Sequence, residues 1–159
     1  MPGGLIQYIS MKVFNRQFSR NFEKLESYEA GVSLLGAEVK SIRTGNVRLE
    51  DAFVRLTNEE AFLVNADVPI YRFSRPQGYD SRRTRKLLLH RDQLIRLKTK
   101  LASVSRLAIV PVACYTKGHL VKLEIALAKG RRTIEKKKLE KQRDIKRQEE
   151  KKIKEYLRS

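Results

Sequence analysis

Five consecutive positions, Arg82-Arg83-Thr84-Arg85-Lys86, hold four cations and lead straight into the apolar Leu87-Leu88-Leu89. On an extended strand alternate side chains point to opposite faces, so Arg83 and Arg85 would share one face and Arg82 and Lys86 the other. That arrangement suits a rim that grips phosphates. Just upstream, Tyr71, Phe73 and Tyr79 stand among Arg72 and Arg75. Flat rings interleaved with cations are what RNA binders use to stack bases and neutralise the backbone. The competing reading is a solvated loop whose rings tuck onto the body of the protein. RNA contact is favoured for the segment as a whole, not arginine by arginine.

Catalytic groupings are thin by comparison. His90 and His119 fall at an expected helix start and an expected hairpin turn, and no second Cys or His lies at ligand spacing, so a zinc site has little support. There is no Gly-x-Ser-x-Gly elbow and no phosphate-cradling glycine loop ending in Lys-Ser/Thr. Glu29, Glu38, Asp51, Asp67 and Asp80 are available to a metal-dependent nuclease, yet their spacing gives no sign of a paired site. Each reads instead as a surface partner for the many cations, worth little individually. The expectation is a non-enzymatic protein with no cofactor and no metal.

The charge supports a polyanionic partner. In 159 residues, 35 Lys+Arg face 18 Asp+Glu for a formal net charge of +17, while 41% of residues are hydrophobic, enough for one folded core. The lone cysteine, Cys114, sits in an apolar run and reads as a small buried side chain in a reducing compartment. No apolar stretch approaches the roughly 18 residues that span a bilayer, and the first eight residues lack the pattern of a secretion signal. A cytoplasmic, non-membrane protein, monomeric when free, is expected. Met11-Lys12 resembles a second start, so residues 1 to 10 read as an extension.

The elements that must carry these residues follow from periodicity. Ala52 to Leu56 and Ala61 to Val64 flank Thr57-Asn58-Glu59-Glu60, and Leu107 to Tyr115 and Leu120 to Ala128 flank Thr116-Lys117-Gly118-His119, so both pairs read as hairpins. Val121, Leu123, Ile125 and Leu127 share one face, with Lys122 and Glu124 on the other. A further strand is expected within Phe22 to Leu34. Leu35, Val39 and Ile42 have helical spacing and Gly45-Asn46 a left-handed stop. A longer helix is expected from about Arg91 to Ala102, with Leu94, Leu97 and Leu101 inward. The order fits a mainly β fold, a small antiparallel barrel with short flanking helices. An open sheet packed by helices satisfies the same periodicity.

Composition shifts at Gly130. Arg131 to Ser159 holds thirteen Lys/Arg and six Asp/Glu, a net +7, leaving +10 on the first 130 residues. Its large apolar residues are too few and scattered to form a core, so the tail should not fold alone. Good helix formers dominate it, and Ile134, Ile145 and Tyr156 recur every eleven residues along one stripe. We therefore expect a tail disordered when free and helical when bound; a solvated helical appendage is the plainer alternative. The chain divides into an N-terminal extension (1–14), an RNA-binding β-barrel domain (15–130) and a basic C-terminal tail (131–159).

Five blocks in order carry a resemblance to a known family. They are Asn15-Arg16-Gln17, Tyr28-Glu29-Ala30-Gly31-Val32, the run from Gly36 to Gly45, the run from Arg83 to His90, and Ala126 to Arg132. Together the chain resembles the SsrA-binding proteins (small protein B), partners of transfer-messenger RNA in bacterial ribosome rescue. The resemblance implies an oligonucleotide-binding-type barrel and a tail unstructured until it meets the ribosome. It implies binding to the tRNA-like end of transfer-messenger RNA, with Asn15 and Glu29 at positions associated with that contact. Lys40, Arg43, Arg82, Arg83, Arg85 and Lys86 complete the expected RNA-binding set. Lys129, Gly130, Arg131 and Arg132 match the start of the tail that enters the empty messenger channel and faces the decoding centre of the small subunit; Ile134, Lys136, Lys137 and Arg143 extend that ribosome-probing set.

The chain also departs from the family. Ile134-Glu135-Lys136-Lys137 keeps the charges where the family usually has an aromatic or His before Asp-Lys-Arg, but lacks the ring. Phe18-Ser19-Arg20-Asn21 replaces more usual small and basic residues, and Ser81 stands where Pro is common. Two other readings compete: a ribosomal or initiation-type protein that coats RNA generally, and, more distantly, a metal-dependent ribonuclease using Glu38 and Asp80.

Overall fold

A computed structural model describes residues 9–71, 73 and 75–158. Its elements run β1 (Ile9–Phe14), α1 (Phe18–Asn21), β2 (Phe22–Val32), α2 (Gly36–Arg43), β3 (Phe53–Thr57), β4 (Glu60–Val64), β5 (Arg85–Leu88), α3 (Arg91–Ser103), β6 (Leu107–Lys117), β7 (Leu120–Gly130) and α4 (Thr133–Arg158). Both expected hairpins are present. In β3–β4 the two loop residues Asn58 and Glu59 take φ of 49° and 63°, the left-handed turn that matches strand twist. Gly118, at φ 63°, serves the β6–β7 turn.

All strand pairs are antiparallel, and the sheet order β1-β6-β3-β4-β5-β2-β7 closes because β7 also pairs with β6. The closed barrel, not the open sheet, is the solution, and closure hides the edges of short strands. Two long strands change partners to make it possible. β6 meets β3 at Val54↔Ile109 and β1 further on at Phe14↔Ala113, with Val112 bulged out. β2 passes from β7 to β5 at Gly31, where an added Cβ would sit 3.3 Å from Leu88 Cβ, so a side chain there would press on the crossing strand.

The interior holds Val121, Leu123, Ile125 and Leu127, the face expected from alternation. Leu97 of α3 is wholly buried, with Leu94 and Leu101 packed beside it. The second half of β7 is apolar on both faces, and α1 explains it. Phe18 covers Ala126, Ala128 and Val110 on the outer wall, with the Phe22 ring stacked 5.9 Å away. A helix of four residues is too short to show a period in a sequence.

β1 belongs to the sheet from Ile9 onward, and Met11 and Val13 pack against the core while Lys12 faces outward, so the barrel begins before Asn15. Residues 1 to 8 lie outside the described residues. The tail is a continuous 26-residue helix with no buried residue. Its length exceeds the roughly 12–15 residues below which an isolated helix is marginal, and Glu135 in the first turn and Arg158 in the last complement the helix dipole. The helical form expected of the bound tail is therefore available to the chain by itself, without a core to support it.

Candidate nucleic-acid interface

One face of the barrel carries a groove of about 890 Å³ between β1, the segment after α2, and the segment leading into β5. Lys12, Arg16, Arg48 and Arg82 line it, with Phe14, Asn46 and Asn65, against two acids, Glu50 and Asp51. Alternation on β1 turns Lys12 and Phe14 outward together, and the Lys12 ammonium lies 5.2 Å from the Phe14 ring and 5.6 Å from that of Tyr115. Arg82 leans on Asp51 at 3.7 Å and donates to Asn65 Oδ1 at 3.1 Å. Arg16 and Arg48 make no ion pair with a described residue. Their charges are uncommitted and open to a ligand.

Beside this groove, Tyr115 donates a short hydrogen bond to Glu29 Oε2, and Lys117 Nζ lies 3.6 Å from Oε1. The Tyr115 bond holds the Glu29 carboxyl below the usual range against the opposing effect of burial, and Lys117 and Lys122 add to it. The Tyr115 hydroxyl is pushed up, by burial first and by Glu29 second. Glu29 is thus a fixed anion at the edge of a cationic face. Lys40 lies on α2 with no ion pair to a described residue, and Arg43 Nη2 donates to the His119 carbonyl of the β6–β7 turn at 3.3 Å.

The arginine cluster behaves otherwise. Arg83 and Arg85 do share a side, but it is the inner one: along β5, Arg85 and Leu87 are buried while Lys86 and Leu88 are exposed. Arg85 is 1% exposed and Glu38 0%. Glu38 Oε2 accepts from Arg85 Nε at 2.8 Å and Arg83 Nε at 3.1 Å, and Oε1 accepts from the Leu35 amide at 2.8 Å and from Arg83 Nη2. The remaining Arg85 donors reach the carbonyls of Ala66 and Ser81, each at 2.9 Å, and of Arg83 at 3.1 Å. The Tyr79 hydroxyl accepts from Arg85 at 3.2 Å and lies 2.7 Å from the Val68 carbonyl and 3.0 Å from Glu38 Oε2. Burial alone would push the Glu38 carboxyl up; the hydrogen bonds from Arg83, Leu35 and Arg85 outweigh it and hold the group at about 2.

Arg85 therefore has no donor left for a phosphate, and its assignment to the RNA surface is corrected: it holds the fold. Arg83 is mostly committed to Glu38. Glu38 is a buried anion, not the weak surface partner expected, and it is bound up with two arginines rather than set beside Asp80. Tyr79 belongs to this network and not to a stacking surface. Lys86 pairs with Glu60 at 3.3 Å, on the β4–β5 edge away from the groove. Asn15 is 7% exposed; its Nδ2 donates to the Pro111 carbonyl at 2.9 Å and its Oδ1 accepts from the Gln17 amide at 3.1 Å, tying β1 to the bulge in β6. Sequence reasoning misses Lys12, Arg16 and Arg48. The alternation of Met11 and Val13 with Lys12 and Phe14 is the signal for the first.

Gly130 and Arg131 lead out of β7 into α4. The Gly130 amide donates to the Arg106 carbonyl at 3.1 Å and the Arg131 amide to the Asn21 carbonyl at 2.8 Å. Arg132 donates its amide to Glu135 Oε2 at 3.2 Å, closing the first turn. Arg20 Nε meets Glu140 Oε1 at 2.7 Å and Arg143 Nη2 donates to Ser19 Oγ at 3.1 Å, so α1 guides the departure of the helix. Lys129 and Lys137 are exposed, Lys136 is half-buried, and Ile134, Ile153, Tyr156 and Leu157 face solvent.

A closed antiparallel barrel with a cation-and-ring groove on one face and a basic helix leading out of β7 has the build of a nucleic-acid-binding module. Comparison with known proteins specifies which. The family described as SmpB protein matches residues 12–155, and the chain belongs to that family. The SsrA-binding protein of Persephonella marina is 43% identical over 146 residues, 92% of this chain and 95% of that protein. Its namesake in Mesoplasma florum is 40% identical over 88% of this chain and 94% of its own. A solved chain described as "tmRNA-SmpB: a journey to the center of the bacterial ribosome" superposes with a TM-score of 0.64 at 36% identity, covering 79% of this chain and 92% of that one.

Proposed function

We propose that this chain binds transfer-messenger RNA and brings it to stalled ribosomes for trans-translation, acting as a non-enzymatic cytoplasmic protein that is monomeric when free. Its relatives are named for binding SsrA, and the solved neighbour is described with tmRNA and the bacterial ribosome. The observation that carries the reading in this molecule is the groove whose Arg16 and Arg48 form no ion pair with a described residue, although Glu50 and Asp51 share its lining. Barrel recognition is by shape and backbone, because a groove of mixed cations reads phosphates and not base edges.

The tail supplies the second half of the function. As a helix with a net charge of +7 it is attracted to ribosomal RNA everywhere. Only a messenger channel without a messenger has room for such a rod along its length, and that exclusion separates stalled from translating ribosomes. Where the helix is already formed, docking avoids most of the ordering cost of about 1 kcal/mol per residue that a disordered tail would incur. No helix among the described residues is long and apolar enough to cross a membrane.

Pulldown of RNA from cells with the full chain, followed by sequencing, tests the proposal. Strong enrichment of transfer-messenger RNA over ribosomal RNA is expected; equal recovery would favour the general RNA-coating alternative. Labelled RNA incubated with the protein and magnesium should remain intact, and cleavage would revive the ribonuclease reading.

A further inference from the structure

A second cavity adjoins the cationic groove. It measures about 490 Å³ and is lined by Ala37, Lys40, Ser41 and Thr44 of α2 and its cap, Asn46, and Pro69, Ile70 and Tyr71 of the segment between β4 and β5. Asn46 and Pro69 also line the groove, so the two are continuous across those residues. The cavity differs in kind from its neighbour. Ala37, Pro69 and Ile70 give an apolar floor, Tyr71 an aromatic wall, and Lys40, Thr44 and Asn46 a polar rim.

The parts are held in place. Ser41 donates to the Pro69 carbonyl, fixing floor to helix, and the Thr44 hydroxyl donates to the Ser41 carbonyl at 2.8 Å while accepting from Asn46 Nδ2 at 3.2 Å. Tyr71 is 68% exposed even so, and Phe73 beside it 76%, their ring centroids 5.3 Å apart and tilted by 58°. Both rings therefore present apolar surface to solvent.

Resting on the RNA-binding reading, we propose that this cavity is a slot for one unpaired nucleobase of the bound RNA, with Tyr71 as its stacking face. A polyanionic strand lying along Lys12, Arg16, Arg48 and Arg82 passes directly over Asn46 and Pro69 to reach it. A base is planar, apolar on its faces and polar at its edge, matching ring, floor and rim in turn. Lys40 stands where it can meet the phosphate or edge of that nucleotide. A continuous duplex presents no free base and would pass the slot by.

The test uses the full chain and two probes: a short flush RNA duplex, and the same duplex with a single bulged 2-aminopurine. Tighter binding of the bulged probe by about tenfold, with quenching of its fluorescence, is expected from the usual strength of base–aromatic stacking. Tyr71→Phe should keep that preference and Tyr71→Ala abolish it, leaving affinity for the flush duplex unchanged. The slot is refuted if both probes bind alike, or if Tyr71→Ala retains the preference. Binding of neither probe would instead overturn the backbone-reading groove on which the slot rests, and the pulldown above tests the transfer-messenger RNA reading separately. Because Tyr71 is exposed, its replacement should leave the circular dichroism and melting of the protein as they were.

Discussion

Replacing Glu38 by Gln tests most directly whether the arginine cluster holds the fold. The carboxylate is 0% exposed and accepts hydrogen bonds from Leu35, Arg83 and Arg85, with Arg85 Nη2 at 2.6 Å. A neutral amide leaves the buried Arg85 guanidinium without its counter-charge and sets an N–H2 donor against donors. Removing one partner of a buried pair in this way typically costs about 3–5 kcal/mol, a large share of the roughly 5–15 kcal/mol that holds a domain together. Acid should expose the same group. Glu38 is held at about 2 against an ordinary value of 4.5, so its contribution is complete above pH 4.5 and is lost as the pH falls toward 2. Urea unfolding of wild type and Glu38→Gln, followed at pH 7 and at pH 3, should therefore show a wide gap that narrows on acidification; Glu26, also held near 2 by its Arg96 hydrogen bond, is common to both proteins and cancels. A gap below about 1 kcal/mol at pH 7, or one independent of pH, would refute the network as a stabilising device.

Arg16→Ala and Arg48→Ala should each weaken RNA binding across sequences and reduce the salt slope of log K by about 0.9 for each phosphate no longer neutralised, with little change in melting. Truncation after Gly130 should preserve RNA binding by the barrel and abolish tagging of stalled chains in a rescue assay; parallel loss of both would deny the division of labour. Arg20→Glu should speed amide exchange in the first turns of α4, and the paired Arg20→Glu, Glu140→Arg swap should restore protection, an effect under about 1 kcal/mol for so exposed a pair. Cys114, whose thiol burial pushes up to about 12, should resist a thiol reagent at pH 8 in the native protein and react at once in urea.

Whatever repeats long enough to have a period is legible in this sequence. β7 shows its inner face through four apolar residues at spacing two, and α3 shows Leu94, Leu97 and Leu101 at helical spacing; both stand as expected. α1 has one turn and no period, and β1 alternates over a few residues that the apparent start at Met11 disguises. The tail presents the converse case. The absence of a core argues for disorder, whereas a 26-residue run of good helix formers satisfies its backbone locally, and composition alone cannot rank the two. At the site, spacing correctly puts Arg83 and Arg85 on one side of a strand but cannot tell which side faces inward. Charge argues for solvent, and only the arrival of Glu38 from α2, 45 residues upstream of Arg83, reverses that argument.

The reversal gives the cluster a structural role that still bears on the proposed RNA surface. Glu38 and Lys40 sit on the same short helix, so the bonds that draw Glu38 inward fix where Lys40 stands on the rim. Arg85 grips the carbonyls of Ala66 and Ser81, and Tyr79 that of Val68, at both ends of the segment that carries Tyr71 and Phe73. A long connection between β4 and β5 has little sheet of its own to order it. The buried ions supply that order, and Arg82, next to them in sequence, emerges on the groove. The motif thus divides its labour by residue: Arg83 and Arg85 share the Glu38 carboxylate and hold the loop and helix, whose remaining cations and rings stay exposed on the proposed RNA surface.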